Sequence, residues 1–145
     1  MTDGGIYFSE RGDEIKKFNI QDGYGIVKLR AVGIKVGIIT GRASQVVLRR
    51  AKELGITEVY QNLENKLEAY TQLKMKLAVK DSEIAYIGDD EPDLPVMQQV
   101  AFSACPANAV QLVRRKADYV CRSRGGEGAV REVIDLILDS RGRRG

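Results

Sequence analysis

The chain has 145 residues, one ordinary domain's worth, with 43% hydrophobic residues, 30% charged residues and a mild net charge of +3. No apolar run approaches the ~20 residues that span a bilayer, and the Met-Thr-Asp-Gly-Gly start lacks the basic and apolar stretches of a secretory signal, so a cytoplasmic chain without a membrane segment is expected. Histidine is absent, which removes serine–histidine triads, imidazole metal sites and histidine general bases together and leaves catalysis to carboxylates, lysine and hydroxyls.

In chain order, residues 5–8 and 14–19 read as the two arms of a β-hairpin, with Gly12 supplying the positive φ of its turn. Residues 25–31 have helical spacing and stop at Gly33. Residues 34–39 are apolar and β-branched, the pattern of a buried parallel strand. The alternation continues with helix 44–54, stopped by Gly55, strand 58–61, helix 66–77 and strand 83–87. After these come a short helix 93–98, strand 101–104, helix 107–115, strand 118–121 and helix 128–138. Strands alternating with helices of this length predict an α/β fold, a Rossmann-like parallel sheet with helices on both faces, preceded by the hairpin. A single domain over 1–145 is expected, with a hairpin flap at 5–19 and a basic tail at 139–145. Cys105 and Cys121 are too few and too isolated for a disulfide framework, so buried free thiols are expected. Arg141, Arg143 and Arg144 have no interleaved aromatic residues, which predicts a solvated end and no nucleic-acid partner.

In parallel sheets ligands bind beyond the carboxyl ends of the strands, so the polar residues there carry the chemistry. Strand 34–39 ends in Thr40-Gly41-Arg42 just before a helix, and a hydroxyl, a glycine and helix amides together make an anion site. Plain capping by Thr40 or Ser44 is the other reading of that turn. Strand 83–87 ends in Gly88-Asp89-Asp90-Glu91-Pro92-Asp93, where like charges repel unless compensated, which suits a hard divalent ion such as Mg²⁺, while a solvated loop capped by Asp93 is the alternative. Lys66 opens a helix, a poor place for a cation against the helix dipole. It is either an ammonium that neutralises a phosphate or a plain exposed lysine.

Taken together, Ile38-Ile39-Thr40-Gly41-Arg42, Asn65-Lys66-Leu67-Glu68-Ala69 and Ile87-Gly88-Asp89-Asp90 through Met97 resemble the second, third and fourth haloacid-dehalogenase motifs. Thr2 to Tyr7, Phe18 to Gly23, Ala117 to Val120 and Gly125 to Val133 narrow the resemblance to the 3-deoxy-D-manno-octulosonate 8-phosphate phosphatases, over residues 1 to about 138. That resemblance implies a capless, Mg²⁺-dependent homotetramer that hydrolyses a sugar phosphate in lipopolysaccharide synthesis. It implies that Thr40 and Gly41 hold the phosphate, Lys66 neutralises it, Asp89 binds Mg²⁺ with Asp90 and Asp93 in support, and Arg42 and Asp22 contact substrate. No stretch between Thr40 and Lys66 is long enough for a cap domain, in agreement.

The pattern departs from the family at its first motif. There the family resembles Asp-x-Asp-Gly-Val-Met/Leu-Thr-Asp-Gly, and this sequence opens at the Met. By the resemblance the first aspartate is the nucleophile and the second the acid/base for the leaving alcohol; no Asp-x-Asp occurs in the 145 residues, so this chain is expected to be inactive as it stands. A start assigned at an internal Met, a shortened chain and a true pseudo-enzyme are the open explanations. The strand carrying that motif should lie between the strands that end at Thr40 and Gly88, so both should lack a ladder partner. Gln21 and Glu127 stand where the family often has arginine, which leaves a nonulosonate 9-phosphate or another sugar phosphate as the alternative substrate. An inactive oligomerisation or binding module on the same fold is the opposing class.

Overall fold

The structure, a computed structural model, describes residues 1–142. The hairpin forms with shorter arms than expected: β1 (Tyr7–Phe8) pairs antiparallel with β2 (Glu14–Ile15). Its turn closes through the Ser9 amide on the Asp13 carbonyl at 3.0 Å, and Gly12 has the expected positive φ of 82°. Ile6, Phe8 and Ile15 are each more than half exposed, so the flap presents an apolar surface outward.

Helix α1 (Ile20–Ala31) starts five residues before the sequence pattern predicts, because Asn19 caps it by accepting from the amides of Gln21 and Asp22. Gly33 ends it at φ 83°, with the Ile34 amide on the Leu29 carbonyl and the Gly33 amide on the Arg30 carbonyl, the paired bonds that close a helix with a left-handed glycine. Helix α2 (Gln45–Glu53) is capped by Ser44 and α3 (Lys66–Leu77) by Asn65.

Strand β3 (Gly37–Ile39) runs parallel to β4 (Glu58–Tyr60), and β5 (Ala85–Ile87), β6 (Phe102–Cys105) and β7 (Tyr119–Val120) form a second parallel sheet in that order. The parallel strands therefore form two sheets. Among the described residues β3 is paired only with β4 and β5 only with β6.

After β5 a single 3-10 turn, Glu91–Asp93, leads into α4 (Leu94–Met97), where a continuous short helix is expected. Helices α5 (Gln111–Lys116) and α6 (Ala129–Gly142) complete the domain. Helix α6 continues through Gly142, so residues 139–142 are helical where a solvated tail is expected; Arg143 and Arg144 lie outside the described residues.

The core has two buried clusters. Leu94, Met97, Cys105, Ala109 and Val113 pack on one side of β6, and Ala104, Cys121, Ala129 and Val133 on the other, so alternate residues of β6 feed opposite faces. Both cysteines are buried free thiols, and burial pushes Cys121 up to about 12, so neither is a reactive thiolate. No helix among the described residues is long and apolar enough to cross a membrane.

Candidate active site

At the end of β3 the Thr40 amide donates to the Tyr60 carbonyl at 2.9 Å and prolongs the ladder by one step. The Thr40 hydroxyl accepts from the Arg42 amide at 3.4 Å, so the chain turns sharply before Ser44. Gly41 is exposed, and a Cβ there would lie 3.4 Å from the Leu63 carbonyl, which brings the phosphate turn against the loop leading to α3. The cap of α2 is Ser44, whose hydroxyl accepts from the Val47 amide at 3.4 Å. Thr40 is thus not needed as a cap and stands at the strand end with its hydroxyl beside Gly41.

Lys66, at the start of α3, is tied to the loop after β5. Its ammonium lies 2.6 Å from Asp93 Oδ1, and both side chains are largely withdrawn from water. Asp93 is the hub of the loop after β5: the Tyr86 hydroxyl donates to the same oxygen at 2.6 Å, while the amides of Asp89 and Asp90 donate to the other at 3.0 and 3.2 Å. Burial alone would raise the Asp93 carboxyl, but the Lys66 ammonium and the Tyr86 hydroxyl outweigh it and hold it below the usual carboxylate range. Gly88 is required here, since a Cβ would come within 2.4 Å of Asp93 Cβ.

Both Asp93 oxygens accept from protein donors in this structure. Asp90 is exposed and caps the 3-10 turn by accepting from the Glu91 amide at 2.8 Å. Among the described residues no group of three or more carboxylate, histidine or cysteine side chains converges as a metal cage. Asp89 is different. Among the described residues no side-chain donor reaches its carboxylate, and burial together with the charge of Asp93 pushes it above the usual range, the condition that a bound cation would relieve. Asp89 therefore fits a divalent ion as one ligand.

Asp22, expected to touch substrate, is 5% exposed and lies inside the contact between α1 and α6. Its Oδ1 accepts from the Arg131 amide at 2.8 Å and so caps α6 from a neighbouring helix, while Oδ2 is buried without a hydrogen-bond partner among the described residues. Burial raises its carboxyl. Arg42, in contrast, is exposed at the turn. Glu127 forms an exposed pair with Lys17 of the flap at 3.4 Å, and Gln21 is exposed.

The sequence reading misses Tyr86, Glu14 and Ser44 as site residues. Tyr86 is seven residues from Asp93 and could be found only by knowing that the chain doubles back after β5. No hydrogen bond or ion pair joins Thr40 or Arg42 to Lys66 or Asp89 among the described residues; they are related as loops at the carboxyl ends of parallel strands.

The arrangement has known counterparts. Residues 55–134 match the family model of haloacid dehalogenase-like hydrolases. The chain is 48% identical over 143 residues to the 3-deoxy-D-manno-octulosonate 8-phosphate phosphatase of Escherichia coli, covering 99% of this chain and 76% of that protein. The crystal structure of the Yersinia pestis phosphatase of the same name superposes with a TM-score of 0.93 at 51% identity, over 95% of this chain and 75% of that one. A Moraxella catarrhalis phosphatase of that name, solved in complex with magnesium ion, phosphate ion and KDO, superposes with a TM-score of 0.92 at 45% identity, over 95% and 79% of the two chains. With the post-strand loops and the fold in agreement, the chain belongs to the 3-deoxy-D-manno-octulosonate 8-phosphate phosphatase family of haloacid dehalogenase-like hydrolases.

Proposed function

We propose that this chain is the scaffold of a Mg²⁺-dependent phosphatase for 3-deoxy-D-manno-octulosonate 8-phosphate, with the nucleophilic aspartate supplied by a strand that these 145 residues do not contain. The observation that carries the reading is the Lys66–Asp93 pair at 2.6 Å, which brings the start of α3 onto the loop that bears Asp89. A phosphate held by Thr40 and Gly41 would meet the Lys66 ammonium, and a charge held in place beside a transferring phosphoryl group lowers the barrier. Asp93 positions that ammonium. Mg²⁺ at Asp89 would draw negative charge from the phosphate oxygens. Arg42 is the side chain placed to meet the acidic sugar, and Asp22 serves the fold.

The open edges of β3 and β5 support the reading that a further strand belongs between them. The exposed apolar flap supports a homotetramer in which hairpins cover one another. A cytoplasmic place in lipopolysaccharide sugar synthesis follows from this substrate. The second reading is an inactive binding module on the same fold. Calorimetry with orthophosphate and Mg²⁺ separates binding from turnover: Lys66→Ala should remove phosphate binding while the chain stays folded. Unchanged phosphate binding by that variant would overturn the site.

A further inference from the structure

Glu14 stands on β2 of the flap and meets a residue 30 positions away. Its Oε2 accepts from the Ser44 hydroxyl at 2.7 Å, while Oε1 pairs with the Lys16 ammonium at 2.9 Å and reaches the Arg42 guanidinium at 3.6 Å. The Lys16 side chain is only 9% exposed, and an ammonium so withdrawn needs a charged partner, which Glu14 supplies. Ser44 is 6% exposed and fully engaged. Besides donating to Glu14 and capping α2, its amide donates to Gln61 Oε1 at 3.1 Å and its carbonyl accepts from Gln61 Nε2 at 3.0 Å. Ser44 is therefore the joint at which the flap, the Thr40–Ala43 turn, α2 and the end of β4 meet.

A hairpin of two two-residue strands is not stable alone, and the Lys17–Glu127 pair that also links it to the domain among the described residues is exposed at 3.4 Å, a kind of pair that contributes little. We propose that Glu14 is a positioning residue: by fixing Ser44 it sets the backbone of Thr40 and Gly41, so that docking of the flap and occupation of the turn by phosphate are thermodynamically linked. The inference rests on the turn being the phosphate site. Linkage of this kind is reciprocal: whatever the seated flap adds to phosphate affinity, bound phosphate returns to flap seating.

The test uses the whole 145-residue chain, labelled with nitrogen-15 and titrated with orthophosphate, read at the Thr40–Ser44 amides. Deuterium exchange of the hairpin amides is measured with and without phosphate. Glu14→Ala and Ser44→Ala should each weaken phosphate about tenfold, an ordinary size for coupling between sites, and the double variant should be no weaker than either single one. Phosphate should slow hairpin exchange in the parent and not in the variants. Glu14→Gln, which keeps an acceptor for Ser44, should show a smaller loss and serves if the alanine variant does not fold. Affinity unchanged in Glu14→Ala, additive losses, or a gain in affinity through release of Arg42 would each overturn the inference. A parent turn that ignores phosphate would overturn the phosphate reading and the linkage with it. Independently of phosphate, an unaltered exchange rate at the Val47 amide in Glu14→Ala would show that Glu14 does not position the turn.

Discussion

Replacing Asp93 by asparagine tests the hub of the site with almost no change of shape. The carboxylate accepts from Lys66 and Tyr86 on one oxygen and from two backbone amides on the other. An asparagine offers one oxygen and, on the other side, an NH₂ that faces donors, so either the ammonium and phenol or the two amides lose their acceptor. Removing one partner of a buried ion pair costs about 3–5 kcal/mol because the remaining charge stays desolvated. Against a typical domain stability of about 5–15 kcal/mol this is a large share, and at roughly 2–4 °C per kcal/mol it lowers Tm by about 10 °C. The pH dependence has a fixed sign. The folded carboxyl lies below its unfolded value, so its contribution is fully present above about pH 4 and is lost as pH falls through the folded value. Urea unfolding of parent and Asp93→Asn at pH 7 and at progressively lower pH reads both features. A loss under about 1 kcal/mol at pH 7, or a gap that does not narrow below pH 4, would refute the hub.

Further outcomes follow from the same structure. Asp89 should bind Mg²⁺ more weakly than micromolar in calorimetry, because no group of three or more candidate ligand side chains converges among the described residues, and Asp89→Asn should abolish the signal; sub-micromolar binding would contradict the site. Asp22→Ala should cost about 1 kcal/mol as a lost cap of α6, whereas Asp22→Asn, which keeps an acceptor for the Arg131 amide and removes a buried charge, should be neutral or stabilising at pH 7 by thermal melting. That Asn effect should fade as pH falls, because a raised folded carboxyl gains its proton and parent and variant converge in charge. Light scattering should find an oligomer at micromolar concentration that Phe8→Glu with Ile15→Glu disperses; a monomeric parent would sink the flap-assembly reading.

How much of this was legible in the sequence depends on the range of the interaction concerned. Helix α3 matches its expected bounds because Asn65 before it is a local signal. The start of α1 was hidden by Gly23 and Gly25, which weaken helical propensity and read as a loop. The glycines are there for packing: a Cβ on Gly23 would lie 2.4 Å from the Arg50 side chain, and one on Gly25 would lie 3.0 Å from Arg131. Thr40, Lys66 and Asp89 stand out as candidates because each lies in a segment after a strand, where parallel sheets place ligands. The tasks of Asp93 and Asp22 do not, since an acidic residue in a sequence does not show whether its oxygens face a metal, an ammonium or a helix end. The Glu14–Ser44 contact joins residues 30 apart through a hairpin of weak strand pattern, and no local rule reaches it.

The central claim is that these 145 residues carry phosphate and metal groups of a sugar phosphatase, while its nucleophile and acid/base aspartates belong to a strand outside them. Covalent phosphoryl transfer needs an attacking group held in line, and such positioning supplies about 7–11 kcal/mol in favourable cases. The most direct measurement is release of phosphate from 3-deoxy-D-manno-octulosonate 8-phosphate in Mg²⁺, comparing the 145-residue chain with a version extended at its N-terminus by a strand carrying Asp-x-Asp-Gly-Val. The account predicts no turnover above background for the first, Mg²⁺-dependent turnover for the second, and loss of that turnover in the extended Lys66→Ala or Asp89→Asn protein. Turnover by the 145-residue chain itself, or an extended protein inert on this and a broad panel of sugar phosphates, would contradict it.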